Sequence, residues 1–409
     1  MSLLAKRMNT RRALAFIFCT VALDVLALGV MIPVLPTIVL GFMGGDTAGA
    51  AEMFGVFATV WALMQFLCSP LLGALSDQYG RRPVILISCL GLGLDYIFMA
   101  LAPSLLLLLI GRVISGITSA TIGTSFAYIA DVTKPEERAK AFGLVGMAFG
   151  LGFVVGPAIG GLLGSVDPRL PFWISAAACL ANAAFGWFVL PESLPPEKRM
   201  AFAWKRANPI GSLRLLASHR QLLGLAAVDF LGNFAHQVLP AVFVLYAGHR
   251  YGWGEMTVGL TLAFVGICTA IVQGLLIGPI VGRFGSRRAL IAGLLAGALG
   301  MSIYGLAETG PWFWAGVPVM AFWGLAGPAV QDMMTRRVGG SEQGQLQGAN
   351  SASRSIAGLV SPGLFAVLFA WTIDTLPGAA FLLAGLLLLA AAAVAWIATS
   401  RTRPAAPAP

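Results

Sequence analysis

Long apolar runs, separated by Gly/Pro breaks or small clusters of charge, follow one another along almost the whole chain. A membrane-spanning helix needs roughly 20 apolar residues. Runs of that kind fall at 13–36, 52–74, 84–102, 105–129, 139–164, 170–190, 220–247, 255–281, 289–307, 312–334, 344–370 and 374–399, and they predict an all-α membrane protein of twelve spanning helices. The pairs within 84–129 and 289–334 are joined by turns of only a few residues. A closed β-barrel also satisfies every backbone group in lipid, but its strands read as short alternating segments. These runs are too long and too uniformly apolar for that.

Composition agrees. Of 409 residues, 58% are hydrophobic and only 11% charged, with a mean hydropathy of +0.85, which is more apolar surface than a soluble core can hide. The net charge of +9 would point to nucleic acid in a soluble protein. Its distribution gives a better account. Basic residues gather at the N-terminus (Lys6, Arg7, Arg11, Arg12) and in alternate loops: Arg81 and Arg82; Lys134, Arg138 and Lys140; Arg283, Arg287 and Arg288; Arg336 and Arg337; and the stretch 191–220. The opposite loops hold Arg169 and Arg250 and little else. By the positive-inside rule, both termini and the central loop should face the cytoplasm. The first apolar run follows Arg11 and Arg12 as in a signal peptide, yet it contains Asp24 and continues past 20 residues, so it reads as a retained helix. All five cysteines (Cys19, Cys68, Cys89, Cys179, Cys268) fall inside the runs without metal-ligand spacing and read as packing residues.

Shifting the chain by 205 residues brings several features into register. Asp24 falls on Asp229, Gly73 on Gly278, Glu137 on Glu342, Gly143 on Gly348 and Pro157 on Pro362. The chain thus reads as a duplicated pair of six-helix bundles, 1–190 and 220–409, related by a pseudo-twofold axis and joined by a cytoplasmic linker at 191–219. Parallel repeats of this kind occur in secondary transporters, which bind substrate near the midplane between the halves.

Gly73-Ala-Leu-Ser-Asp77-Gln-Tyr-Gly80-Arg81-Arg82, between the second and third runs, resembles the signature loop of the major facilitator superfamily. Its glycines allow a tight turn and close helix approach, while Asp77 and the arginines can form an ionic latch; Asp131 joins the same gating group. The resemblance extends over nearly the whole chain and is most similar to the tetracycline-type drug/proton antiporters. It rests on Leu23-Asp24 with Met31-Ile-Pro33-Val-Leu-Pro36, on Asp95-Tyr96, on Gly111-Arg112 with Ser115-Gly116-Ile117-Thr118, and on Tyr128-Ile-Ala-Asp131-Val-Thr133. Phe149-Gly150-Leu-Gly152, leading to Gly156-Pro157 and Gly160-Gly161, is similar to the fifth-span motif of exporters. Its glycines let two helices pack closely, and Pro157 supplies a bend. The resemblance implies proton-driven export by a monomer in the bacterial inner membrane, with protons and a small molecule as partners, no nucleic acid and no cofactor.

An ionisable group inside a span costs on the order of 2.5–3.5 kcal/mol on insertion scales and is a functional hypothesis by default. Asp24 and Asp95 each lie roughly 11–12 residues into their helices, near mid-membrane. An acid there can take a proton from one side and release it when its surroundings become wetter or a cation approaches. The alternative is a static pairing that locks helices together. Arg112 is the in-membrane cation of the first half, and the resemblance ties it to proton movement, although a structural ion pair would also explain it. Asp229, Asn233, His236 and Gln237 share one helical face and are read as lining the cavity, with Gln65, Gln273 and Gln331 as further substrate positions. His236 can equally be a hydrogen-bonded packing residue. Classical tetracycline transporters carry an aspartate in the ninth span and a histidine in the eighth; this chain has Gly297 and Thr269 there. Asp229, Asp332 and Arg354 are its other embedded charges. Arg354 could neutralise either acid, or bind an anionic substrate.

The leading reading is a proton-coupled exporter of drug-like molecules, tetracycline-like compounds first among them. The alternative on the same fold is a carrier of a natural metabolite such as a sugar or siderophore. No G-x-x-x-x-G-K-[ST] loop is present to bind ATP phosphates. An enzyme would need a nucleophile-base set or a metal cluster, and only one of three histidines lies in a span. A channel fits the half-chain repeat less well than alternating access does.

Overall fold

The computed structural model describes residues 3–118, 121–133, 138–199, 220–337 and 343–400. Most of the expected linker (200–219), together with Lys134, Glu137 and Glu342, lies outside the described residues.

Among the described residues the chain is helical, with no strand. In order come α1 (Leu3–Met31), α2 (Leu35–Phe42), α3 (Thr47–Tyr79), α4 (Arg81–Leu101), α5 (Leu105–Thr118), α6 (Thr121–Val132), α7 (Arg138–Gly164) and α8 (Leu170–Val189). The rest are α9 (Arg220–His236), α10 (Val238–Tyr251), α11 (Glu255–Ile271), α12 (Ile277–Leu306), α13 (Gly310–Ala321), α14 (Ala326–Thr335), α15 (Gln343–Thr372) and α16 (Ala379–Ser400). A π-helical turn, Val272–Leu276, joins α11 to α12, and a 3-10 turn, Phe322–Leu325, joins α13 to α14. Among the described residues nine segments are long and apolar enough to cross a membrane, and the longest, Glu255–Leu306, runs for 52 residues. Leu105–Thr118 and Val154–Gly164 are shorter apolar helices.

Where helices are split, the sequence supplies the means. Ile32 and Pro33 interrupt α1 and α2, proline removing a backbone donor. A single residue, Gly80 at φ 107°, separates α3 from α4. Gly285 inside α12 has φ 79° and ψ 159° and breaks that helix in the same way. The two glycines are 205 positions apart (285 − 80), the spacing of the sequence repeat. Side-chain-bearing residues rarely adopt positive φ, and glycine does so without a steric penalty.

The residues form two compact units, Met1–Asn208 with Ala247–Gly266, and Pro209–Tyr246 with Ile267–Pro409. In the first, α1 is the central element, its Ile17, Val21 and Val25 packed with Ile85, Tyr128 and Ala148. Its contact with α7 is close enough to exclude side chains: a Cβ on Gly156 would lie 2.8 Å from the Leu26 carbonyl oxygen, and one on Gly160 would collide with that of Val30. Pro157 is accommodated within α7. The segment 247–266 joins this unit through a second glycine contact, in which a Cβ on Gly259 would stand 3.0 Å from the Gly161 Cα.

The second unit is held by aromatics: Tyr304 stacks on Phe313 at 4.1 Å, Tyr246 meets Phe381 at 4.9 Å, and the Tyr246 hydroxyl donates to the Tyr304 carbonyl at 2.8 Å. On both units large apolar side chains such as Leu94, Phe188, Trp371 and Trp396 point outward. In water such a surface would aggregate; in a bilayer it is the lipid-facing wall. The five cysteines are free thiols.

Candidate functional site

Inside the first unit, Asp24 on α1, Asp95 on α4 and Arg112 on α5 are all buried. Arg112 reaches Met31 on α1 and Met99 on α4, so it lies between the helices that carry the two acids. Asp95 is 1% exposed, and its polar neighbours are Ser115 and Arg112. Arg112 points between the acid-bearing helices. Its Nη2 lies 3.2 Å from the Met99 sulfur, one turn beyond Asp95 on α4, 3.4 Å from Ser115 Oγ, and 4.0 Å from the sulfur of Met31 on α1. Thioethers are weak acceptors, so the guanidinium is held loosely beside a carboxyl that it does not neutralise through a close bond. Gly111 makes the approach possible, because a Cβ there would lie 2.6 Å from Met99 Cγ and 3.3 Å from Asp95 Oδ1. A buried polar chain, Thr20 to Asn182 at 3.3 Å and Asn182 to the Cys89 sulfur at 3.7 Å, lies on the neighbouring α1–α8 contact. Asn182 was not singled out from sequence, where nothing but its place in an apolar run marked it. Gln65 is half-buried on α3 beside Gly116, whose Cβ would meet Met64 Cβ at 2.6 Å.

The charged turn at the end of α3 gathers Asp77, Gly80, Arg81, Arg82 and Asp131. Arg81 Nη1 pairs with Asp77 at 2.5 Å, its Nε with Asp131 at 3.2 Å, and Nη1 also donates to Ser76 Oγ at 2.6 Å. Arg82 donates to the Trp187 carbonyl and lies over its ring at 5.6 Å. Gly73 departs from the expected close approach: it lies within α3, and a Cβ there would meet nothing within 4 Å. Its part is to offer a carbonyl to Ser76 Oγ at 2.7 Å.

Glu192, unmarked by the sequence reading, is the anchor of this turn. Its carboxylate accepts from the backbone N–H groups of Arg81 at 2.9 Å and Arg82 at 3.2 Å, at the positive end of α4, and from those of Ser193 and Leu194 at 2.9 and 3.0 Å. A Cβ on Gly80 would collide with that carboxylate, so glycine is required there by space as well as by φ. The signal available in sequence was an acid directly after an apolar run, in Leu190-Pro191-Glu192-Ser193. Replacing Glu192 by Ala should leave two donors at the start of α4 without their charged acceptor and destabilise the protein by about 2–3 kcal/mol. Thermal unfolding of the detergent-solubilised protein should show a clear drop in Tm, smaller for Glu192→Gln.

In the second unit a polar seam runs along one face of α15. Asn350 Nδ2 donates to Gln331 Oε1 at 3.0 Å, Arg354 Nε lies 3.5 Å from Asp229 Oδ2, and a Cβ on Gly358 would be 3.0 Å from Gln237 Nε2. Positions 350, 354 and 358 follow one another at i, i+4 and i+8, on one side of the helix. Asp332 goes elsewhere, to Ser286 Oγ at 2.6 Å and Arg336 Nε at 2.8 Å. Asn233 donates to the Asp229 backbone carbonyl at 2.7 Å. His236 faces the Trp323 ring at 5.5 Å, and Gln273 is exposed near Gly324. Gly297, where tetracycline-type transporters carry an aspartate, is covered: a Cβ there would lie 2.8 Å from Trp323 Cγ and 3.0 Å from Leu388 Cδ1. Trp323 fills the room an acid would need. Among the described residues no group of three or more His, Cys, Asp or Glu could hold a metal ion.

Apolar helices with ionisable side chains enclosed among them define a polytopic membrane protein. A model of the Major Facilitator Superfamily matches residues 14–362. The class C tetracycline resistance protein of Escherichia coli is 39% identical over 385 residues, covering 93% of this chain and 96% of the relative. The class G protein of Vibrio anguillarum is 36% identical over 376 residues, covering 90% and 93%. Among solved structures, the human organic anion transporter TETRAN superposes with a TM-score of 0.71 at 24% identity, over 94% of this chain and 99% of that one, a likeness of fold alone. The chain belongs to the Major Facilitator Superfamily of multi-pass membrane transporters.

Proposed function

We propose that the protein is a proton-coupled exporter of small drug-like molecules, with tetracycline-like compounds as substrates. In this reading Asp95, Asp24 and Arg112 carry the proton step, and the polar side chains Gln65, Asn233, His236, Gln237, Gln273 and Gln331 contact substrate. The turn built on Gly73, Asp77, Gly80, Arg81, Arg82 and Asp131, with the Gly156-Pro157 contact, serves gating. Twelve spans form two six-helix halves, 1–190 and 220–409, that alternate access as a monomer. The 52-residue segment Glu255–Leu306, about twice a single crossing and broken at Gly285, supports that count. The site lies in the bacterial inner membrane with both termini cytoplasmic, and the proton gradient supplies the energy without a cofactor.

The observation that carries this reading is the Asp95–Arg112 arrangement: a buried carboxyl whose polar neighbours are Ser115 and a guanidinium that is itself held by sulfur and serine. Such an acid can change its proton occupancy at the cost of few contacts. Kinship with tetracycline resistance proteins favours drug export over carriage of a natural metabolite. The test is a drug-susceptibility panel in an efflux-deficient bacterium expressing the chain. Tetracycline tolerance should rise and collapse with a protonophore. Unchanged susceptibility to every compound, with the protein present in the membrane, would overturn the exporter reading.

A further inference from the structure

Arg354 combines two features that a purely structural ion pair would not need. Its Nε faces Asp229, whose side chain is 7% exposed, yet its own side chain is 49% exposed. It stands within α15, near the start of the apolar stretch Ala352–Thr372. A guanidinium on an apolar segment avoids hydrocarbon, so its exposed side faces water or a polar ligand. Among the described residues its Nη groups have no protein partner. Above and below it on the same face lie Asn350 with Gln331, and Gly358 with Gln237, so the open arginine sits within a polar strip rather than on a greasy wall. Within this unit, α16 carries no ionisable residue between Ala379 and Ser400, Asp332 on α14 is engaged by Ser286 and Arg336, and His236 on α9 faces the Trp323 ring.

We propose that Arg354 is an anion-recognising element of the transported molecule's binding site, taking a deprotonated oxygen, a carboxylate or an enolate, on its two Nη groups, which have no partner among the described residues. Asp229 is its positioning residue. The planar guanidinium matches a pair of oxygens bidentately, and the buried carboxylate behind Nε fixes the direction in which the fork opens. Gln237 and Gln331 flank it as neutral hydrogen-bonding groups for the rest of the ligand. The inference rests on the transporter reading above and adds the chemical class of the recognised group.

The test measures tetracycline binding to the purified full-length protein by calorimetry, in detergent, with transport measured separately. Removing Arg354 alone would strand the Asp229 charge, so the decisive variant is the double change Asp229→Asn with Arg354→Gln, which removes both charges and leaves two amides that can hydrogen-bond each other. It should fold as well as the parent and bind tetracycline about tenfold or more weakly. Asp229→Asn with Arg354 kept should weaken binding by less than the double change, because the guanidinium remains but its orienting carboxylate is gone. An analogue whose acidic enol is capped as an ether should bind the parent and the double variant alike. Parent-like affinity of the double variant, an equal loss with the capped analogue, or no binding to the parent would overturn the proposal. Binding without any export would instead overturn the exporter reading and leave the recognition site standing.

Discussion

Asp95→Asn is expected to bring uphill tetracycline uptake by everted membrane vesicles down to the level of vesicles lacking the protein. The change is nearly isosteric, and the amide oxygen can still meet Ser115 as the carboxylate does. What disappears is a site that can hold or give up a proton beside Arg112. Substrate exchange without a gradient should persist, because it requires binding and reorientation but no net proton movement. Normal gradient-driven uptake in this variant would remove Asp95 from the proposed proton step. Loss of both uphill uptake and exchange would assign it to binding or folding instead.

Leu substituted for Gly160 should have the largest effect on stability. The β-carbon alone collides with the Val30 carbonyl and would lie 2.8 Å from the Val30 Cα, and the obstacle is backbone, which cannot rotate away. Overpacking typically costs 1–3 kcal/mol, and a clash with helix backbone should exceed about 3. The expected result is little or no folded protein in detergent extracts, read by size-exclusion chromatography and thermal unfolding. Gly73→Ala is the control. Its β-carbon meets nothing within 4 Å, and alanine favours helix over glycine by about 1 kcal/mol, so Tm should hold or rise. A stable but inactive Gly73→Ala protein would mean that this glycine is needed in a second conformation.

Helical, membrane-spanning character was legible because lipid imposes a length and a composition that any polytopic chain must write into its sequence. Asp24, Asp95 and Arg112 were legible for the same reason, since a charge in an apolar run has no trivial explanation. Helix ends were harder: α3 and α4 meet across Gly80 alone, and no loop-like composition marks so short a break. Glu192 was hidden because the two partners that tie it to α4 are backbone N–H groups 110 and 111 positions away, which no side-chain motif records. The pairing of Arg354 also needed coordinates. From sequence it had two acids to choose from, and the choice of Asp229 is set by the face of α15 on which the arginine stands, with Arg336 already committed to Asp332. The closing of Gly297 by Trp323 is likewise a matter of which ring fills which gap.

The two turns at Gly80 and Gly285 share a backbone conformation and differ in how their ion pairs meet water. Arg81 is 12% exposed, whereas Arg336, which holds Asp332 near the second turn, is 74% exposed. Mobile ions screen an open pair far more effectively than a sheltered one. Ionic strength should therefore act on the two turns unequally, weakening the Arg336–Asp332 pair near Gly285 more than the Arg81 pairs at Gly80.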